Sequence, residues 1–227
     1  LYKNIRCDDF VAIGSFKNNQ FYPAHCRGSG VLVQYVAFVS QWRHPLEMDR
    51  SFDEFYSAEK LVVSWVADWC RRRSIDFWVL GASRDYRQQE QKFYSDILGA
   101  TPYVFVPSCK EGAYAFCYNA DLTVFIDSTL GYEMLASGVK VLCLALRSHI
   151  LAEPGRRFGS VGKYPEKGIF WDSHPTMERA YELLDNVYAM TDSAFQEVAS
   201  AISPQLCWLD EGNKSFFKSV KSAVEQG

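Results

Sequence analysis

The sequence predicts an α/β fold, a parallel β-sheet with helices on both faces, and three observations carry that prediction. From about Tyr35 onward, short apolar runs alternate with longer amphipathic stretches, which is the pattern of β-α-β units. The runs are apolar almost throughout, as strands buried on both faces are. At 227 residues the chain is long enough for one sizeable α/β domain and too short for a second of equal size.

The strand-like runs are 35–40, 75–81, 103–107, 122–127 and 139–144, the second interrupted only by Asp76. Between the first two, residues 55–73 space Leu61, Val62, Trp65, Val66 and Trp69 by threes and fours and close on Arg71, Arg72 and Arg73, where a helix dipole favours cations. Trp65 and Trp69 therefore read as core and the arginines as a solvated helix end. Residues 86–98 read as the next helix, with Phe93, Tyr94, Ile97 and Leu98 toward its end and Gly99 as its stop. A short helix at 110–119 leads into the fourth strand, and a helix at 130–137, closed by Gly138, leads into the fifth. A Gly- and Pro-bearing loop at 153–168 is long enough to cover a site or a domain seam. Amphipathic helices at 176–190, 193–202 and 212–225 finish the chain.

Three segments follow: 1–33 as the tail of a preceding domain or a linker, 34–175 as the sheet domain, and 176–227 as C-terminal helices that pack on it or cross back to a partner domain. The strand-like run at 10–14 has no evident partner and the chain begins with Leu, so a longer protein is expected.

A formal net charge of −3 gives no general drive toward nucleic acid, which needs a basic surface. No apolar run is long enough to span a bilayer and no signal-peptide pattern opens the chain, so a cytoplasmic protein is expected. The seven cysteines form no C-x-x-C pair and read as reduced thiols. His25, His149 and His174 are dispersed along the chain and suggest no metal site, and Asp8-Asp9 reads as a surface turn.

Ligands of open parallel sheets bind beyond the carboxyl ends of strands, where helix N-termini offer unpaired N–H groups. The run 124–133 is the best equipped such end. A buried strand enters Asp127, then Ser128 and Thr129 as caps, Leu130, a Gly131 that lets a ligand approach the backbone, and Glu133 one turn further in. Hydroxyls and amides suit phosphate and the acidic side chain suits ribose, although Ser/Thr followed by Glu is equally an ordinary capping arrangement. A second strand end brings Ser40, Gln41 and Arg43, where the arginine suits phosphate or a sugar carboxylate and a solvated loop is the plain alternative. A third brings Gly81, Ser83 and Arg84, a turn of common composition.

Taken in order, these pieces resemble the C-terminal half of bacterial surface-carbohydrate biosynthesis glycosyltransferases, the group that includes retaining β-Kdo transferases. The resemblance runs through Gly14-Ser15-Phe16-Lys17-Asn18-Asn19, Phe38 to Arg43, Phe55-Tyr56, Phe93-Tyr94, Ile126 to Glu133 with Ala136 to Val141, and Tyr164 to Trp171. It implies one Rossmann-like half of a B-type glycosyltransferase fold. The implied partners are a nucleotide-sugar donor, CMP-Kdo in the Kdo-transferring members, a glycan or glycolipid acceptor and an N-terminal acceptor-binding domain. No cofactor and no metal ion is implied, and the implied setting is lipopolysaccharide or capsule assembly at the inner face of the cytoplasmic membrane.

On that resemblance Ser128, Thr129 and Gly131 hold the donor phosphate, Glu133 faces ribose or base, Ser40, Gln41 and Arg43 line the cleft toward the sugar, and Lys167 reaches in from the long loop. No catalytic residue is assigned. A UDP-sugar transferase or a nucleotide-sugar epimerase of related fold remains open, as does a non-catalytic α/β binding module.

Overall fold

The computed structural model describes residues 14–25, 34–109, 113–159 and 164–226. Its elements run α1 (Phe16–His25), β1 (Tyr35–Val39), α2 (Phe52–Arg73), β2 (Asp76–Leu80), α3 (Arg87–Leu98), β3 (Val104–Val106), α4 (Tyr114–Asn119), β4 (Leu122–Phe125), α5 (Thr129–Ala136), β5 (Val141–Leu144), α6 (Leu146–Ile150), β6 (Trp171–Asp172), α7 (Met177–Ala189), α8 (Asp192–Ile202) and α9 (Lys214–Gln226).

All strands pair in parallel in the order β3-β2-β1-β4-β5-β6. The chain winds outward from β1 to β3, returns to lay β4 against the other side of β1, and winds outward again. This is a Rossmann-like doubly wound sheet, and its direction reverses between β1 and β4. Loops leaving those two strands diverge to opposite faces, which opens a crevice at their carboxyl ends. Helix α2 packs on α3, α6 and α7, while α5 packs on α4 and α8, so both faces are covered.

The five apolar runs are all strands: β1, β4 and β5 are buried along their whole length, β2 over most of it, and β3, at the sheet edge, stays partly exposed. Helix α2 starts at Phe52 rather than at 55, because the Ser51 side chain accepts the Glu54 amide and caps it there. It ends where Ser74 turns left-handed after Arg71, Arg72 and Arg73, which stay exposed. Trp69 is fully buried and donates its indole N–H to Asp185 of α7 (3.0 Å).

Three elements were not expected. Strand β6 extends the sheet beyond β5, helix α6 follows β5 directly, and α1 packs on α4 and on the turn at Glu211–Asn213. The described part of segment 1–33 therefore lies against the domain, with Asn18 donating to Ser137 Oγ (2.9 Å) and to the Glu133 carbonyl (3.1 Å). Likewise α7 and α8 pack on the domain, against α2 and α5. The predicted strand at 10–14 (apart from Gly14), the Asp8-Asp9 turn, the first residues of the helix predicted from 110, and part of the loop 153–168 lie outside the described residues. Of the described cysteines, Cys70, Cys117, Cys143 and Cys207 are free thiols.

Candidate functional site

At the crevice between β1 and β4 the structure has a cleft of about 750 Å³. The β1 end contributes Ser40, Gln41, Trp42 and Arg43, the turn after β2 contributes Ser83 and Arg84, and the β4 end contributes Asp127, Ser128 and Thr129. Seven of the residues expected from the sequence thus meet in one place: Ser40, Gln41, Arg43, Ser83, Arg84, Ser128 and Thr129.

Their roles differ. Ser40 sits at the floor with its hydroxyl committed: it donates to Glu90 (2.6 Å), accepts the Trp42 amide (3.0 Å) and lies 2.7 Å from the Tyr94 hydroxyl. Glu90, wholly buried on α3, also accepts the amides of Ala82 (2.8 Å) and Ser83 (2.9 Å). The Ser83 hydroxyl in turn accepts the Tyr86 amide (3.1 Å). The turn after β2 therefore spends its amides on a protein carboxyl group, and burial raises that carboxyl above its usual range.

The β4 side is open. Ser128 caps α5 in extended conformation without a side-chain cap bond; the Gly131 amide donates back to the Ser128 carbonyl (3.1 Å), which leaves the amides of Thr129 and Leu130 as the uncapped donors at this end of the helix. Arg43 and Arg84 are exposed, and neither guanidinium pairs with a carboxylate among the described residues. Glu47 and Asp85 share the rim with them.

Beneath this wall lies a charge network that sequence reasoning missed. Arg147, fully buried on α6, donates to Glu59 (2.8 Å), to the Gln41 side-chain oxygen (2.8 Å), to the Phe55 carbonyl (3.2 Å) and to Asp127. Its guanidinium also lies 4.2 Å from the Phe55 ring centroid. Asp127 takes a second arginine, Arg156 (2.9 Å), which pairs with Glu153, and Glu153 pairs with Arg50 (2.6 Å). Burial pushes the Glu59 carboxyl up, against the pull of Arg147 and of the Tyr94 hydroxyl beside it. Gln41 is thus positioned by Arg147 through its oxygen and by Tyr56, whose hydroxyl donates to the Gln41 carbonyl (3.0 Å). One signal was available: Tyr56, Glu59, Val62, Val63 and Val66 share the buried stripe of α2, and a carboxylate on such a stripe requires a buried partner.

Other expectations need correction. Glu133 does not line the cleft: it lies four residues past Thr129, a full helical turn farther from the sheet edge, and its carboxylate accepts the Tyr114 hydroxyl of α4. Gly131 is not an approach for a ligand, because a Cβ there would stand 2.2 Å from the Phe125 ring, so its role is to seat α5 on β4. A Cβ at Gly81 would similarly stand 2.9 Å from the Phe105 ring. Leu130 is half-buried against the core. Lys167 is exposed beside β6, 3.8 Å from the buried Asp172, and does not line the cleft. His149 and His174, dispersed in sequence, have ring centroids 3.3 Å apart and line a second cleft of about 440 Å³. Among the described residues, no three His, Cys, Asp or Glu side chains are grouped to hold a metal ion.

Residues 1–224 match the model of a protein family described as "putative O-antigen biosynthesis protein". No curated protein matches the chain. Among solved structures it is similar to a "putative UDP-N-acetylglucosamine 2-epimerase" from Listeria monocytogenes, with a TM-score of 0.55 at 14% identity over 95% of this chain and 54% of that one. It is also similar to the "Glycotransferase of kitacinnamycin", with a TM-score of 0.43 at 14% identity over 88% of this chain and 45% of that one. The chain thus spans about half the length of the solved structures it matches. The likeness is one of fold: a Rossmann-like half of a B-type, two-domain arrangement.

Proposed function

Because the chain belongs to the O-antigen biosynthesis protein family, we propose that it is the donor-binding half of a glycosyltransferase that builds surface polysaccharide. The cleft between β1 and β4 takes the phosphate of a nucleotide sugar. The observation that carries this reading is the start of α5, where no side chain caps the amides of Thr129 and Leu130, in one crevice with the guanidiniums of Arg43 and Arg84, which pair with no carboxylate among the described residues.

In glycosyl transfer, negative charge builds on the leaving phosphate as the bond to the anomeric carbon breaks. Amides and guanidiniums already fixed around that phosphate stabilise the charge without reorganising. Gln41, held by Arg147, presents its amide nitrogen toward the sugar side. The acceptor, a glycan or glycolipid, and the groups that activate it belong to the remaining half of the protein. The proposed donor is CMP-Kdo, used without a metal ion or other cofactor.

Calorimetric titration with CMP, UMP, UDP and CMP-Kdo tests this. Saturable binding is expected, strongest for the CMP compounds. Arg43→Ala should weaken it by about 1–3 kcal/mol, roughly 5- to 150-fold, with the melting temperature unchanged. A preference for uridine nucleotides would move the donor to a UDP-sugar, and with it the reaction to a UDP-sugar transferase or an epimerase. If no nucleotide binds, or if binding ignores Arg43→Ala, the cleft is not the donor site.

A further inference from the structure

The second cleft, which holds His149 and His174, lies at the carboxyl ends of β5 and β6 and shares no lining residue with the cleft between β1 and β4. Arg156 and Arg157, neighbours in sequence, turn one to each: Arg156 pairs with Asp127 of the first cleft (2.9 Å), and Arg157 lines the second. At about 440 Å³ the second cleft has room for a small molecule.

Its wall carries an unsatisfied hydroxyl. Ser173 is 4% exposed and its Oγ has no hydrogen-bond partner among the described residues, whereas the Oγ of Ser148 beside it donates to the carbonyls of Ala145 (2.8 Å) and Ser173 (3.2 Å). A buried hydroxyl without a partner is costly, and a ligand that brings an acceptor removes the cost. The two imidazoles, one on α6 and one just past β6, are exposed, with ring centroids 3.3 Å apart. Two cations this close repel, so the pair becomes fully charged only against an anion. The carboxylates nearby already have cations: Glu166 pairs with Arg157 (3.0 Å), and the buried Asp172 faces Arg179 (3.6 Å) and Lys167 (3.8 Å) and accepts the His174 amide (2.8 Å). Arg147, on the same helix as His149, is spent on Glu59 and Asp127. What stays uncommitted is the Ser173 hydroxyl and the imidazole pair.

We infer that the second cleft binds the oxyanion of a small molecule, a carboxylate or a phosphate, through the Ser173 hydroxyl and the His149–His174 pair, with the exposed Arg157 beside them. The anion accepts the Ser173 O–H and draws protons onto the imidazoles. This site is independent of the donor cleft and does not rest on the function proposed for it.

Magnetic resonance of the imidazole Cε1–H signals of the 227-residue chain tests the inference, since four histidines are readily assigned by substitution. Glucuronate and inorganic phosphate supply the two oxyanions, and glucose is the neutral control. Saturable shifts of the His149 and His174 signals are expected with at least one anion and not with glucose; the tighter binder assigns the oxyanion as carboxylate or phosphate. Ser173→Ala should weaken that anion by about tenfold or more without lowering the melting temperature, because the hydroxyl it removes has no partner among the described residues. Imidazole gains its charge as pH falls from about 8 to about 5, so glucuronate should bind more tightly at about pH 5.5 than at about pH 8 in calorimetry, and His149→Gln with His174→Gln should abolish the difference. Arg43→Ala should change none of this, which keeps the result apart from the fate of the donor cleft. The inference is overturned if neither anion moves the two signals, if glucose moves them as far, if Ser173→Ala binds as tightly, if affinity ignores pH, or if Arg43→Ala removes the effect.

Discussion

Arg147→Met removes the cation at the centre of the buried network while keeping a long apolar side chain in its place. The structure sets the size of the effect. Glu59 is 1% exposed and loses its arginine partner; the Phe55 carbonyl and the Gln41 side chain lose a donor; Asp127 keeps Arg156. Breaking a buried ion pair from one side costs about 3–5 kcal/mol, a large share of the roughly 5–15 kcal/mol that stabilises a domain. In a chain of this size that corresponds to a fall in melting temperature of about 6–20 °C. Urea unfolding followed by tryptophan fluorescence measures it. Glu59→Gln in the same background removes the stranded charge, so the double variant should recover at least about 1 kcal/mol relative to the sum of the single changes.

The pH dependence carries a sign as well. The Glu59 carboxyl is raised in the folded state, so its contribution is fully present below its unfolded value of 4.5 and is lost as pH rises through the folded value. Glu59→Gln should remove that loss. A cost below about 1 kcal/mol for Arg147→Met, or strict additivity with Glu59→Gln, would refute the reasoning.

Gly131→Ala places a methyl group 2.2 Å from the Phe125 ring and should cost about 1–3 kcal/mol in the same unfolding assay. Glu133→Ala should lower stability by about 1–2 kcal/mol, through the stranded Tyr114 hydroxyl, and leave nucleotide affinity unchanged in calorimetry; a loss of affinity would return Glu133 to the cleft. The Tyr181 hydroxyl, with Arg71 and Arg72, holds the Asp68 carboxyl down at about 2, below its unfolded 3.8. That contribution is present above pH 3.8 and lost as pH falls toward 2, and after discounting for partial exposure it amounts to about 1 kcal/mol. Asp68→Asn should flatten the acid limb of the melting curve by that amount.

What could be read from the sequence followed from the range of the forces involved. Strands β1, β2, β4 and β5 were legible because burial on both faces writes a continuous apolar run, and α2 because its apolar stripe spans many turns. Strand β6 was not, since two residues carry no period, and α1 hides because its buried side includes Asn18 and Asn19, which are satisfied by partners more than a hundred residues away. The crevice itself was legible because strand ends announce themselves locally. Which hydroxyl or amide remained free there was not, because Glu90 and Arg147 reach it from distant helices. Gly131 shows the same limit: a glycine beside a strand end reads as room for a ligand until the ring beneath it is seen.

The clasp around Glu90 gives the crevice a direction. On its β2 bank the amides of Ala82 and Ser83 are already engaged by that carboxyl group, while its α5 bank begins with the amides of Thr129 and Leu130, which no side chain caps. An oxyanion that enters therefore meets helix amides on the α5 bank and a side-chain cation, Arg84, on the other, so whatever it carries trails away from α5 toward Gln41. Orientation is imposed on the guest before its base or its sugar is inspected.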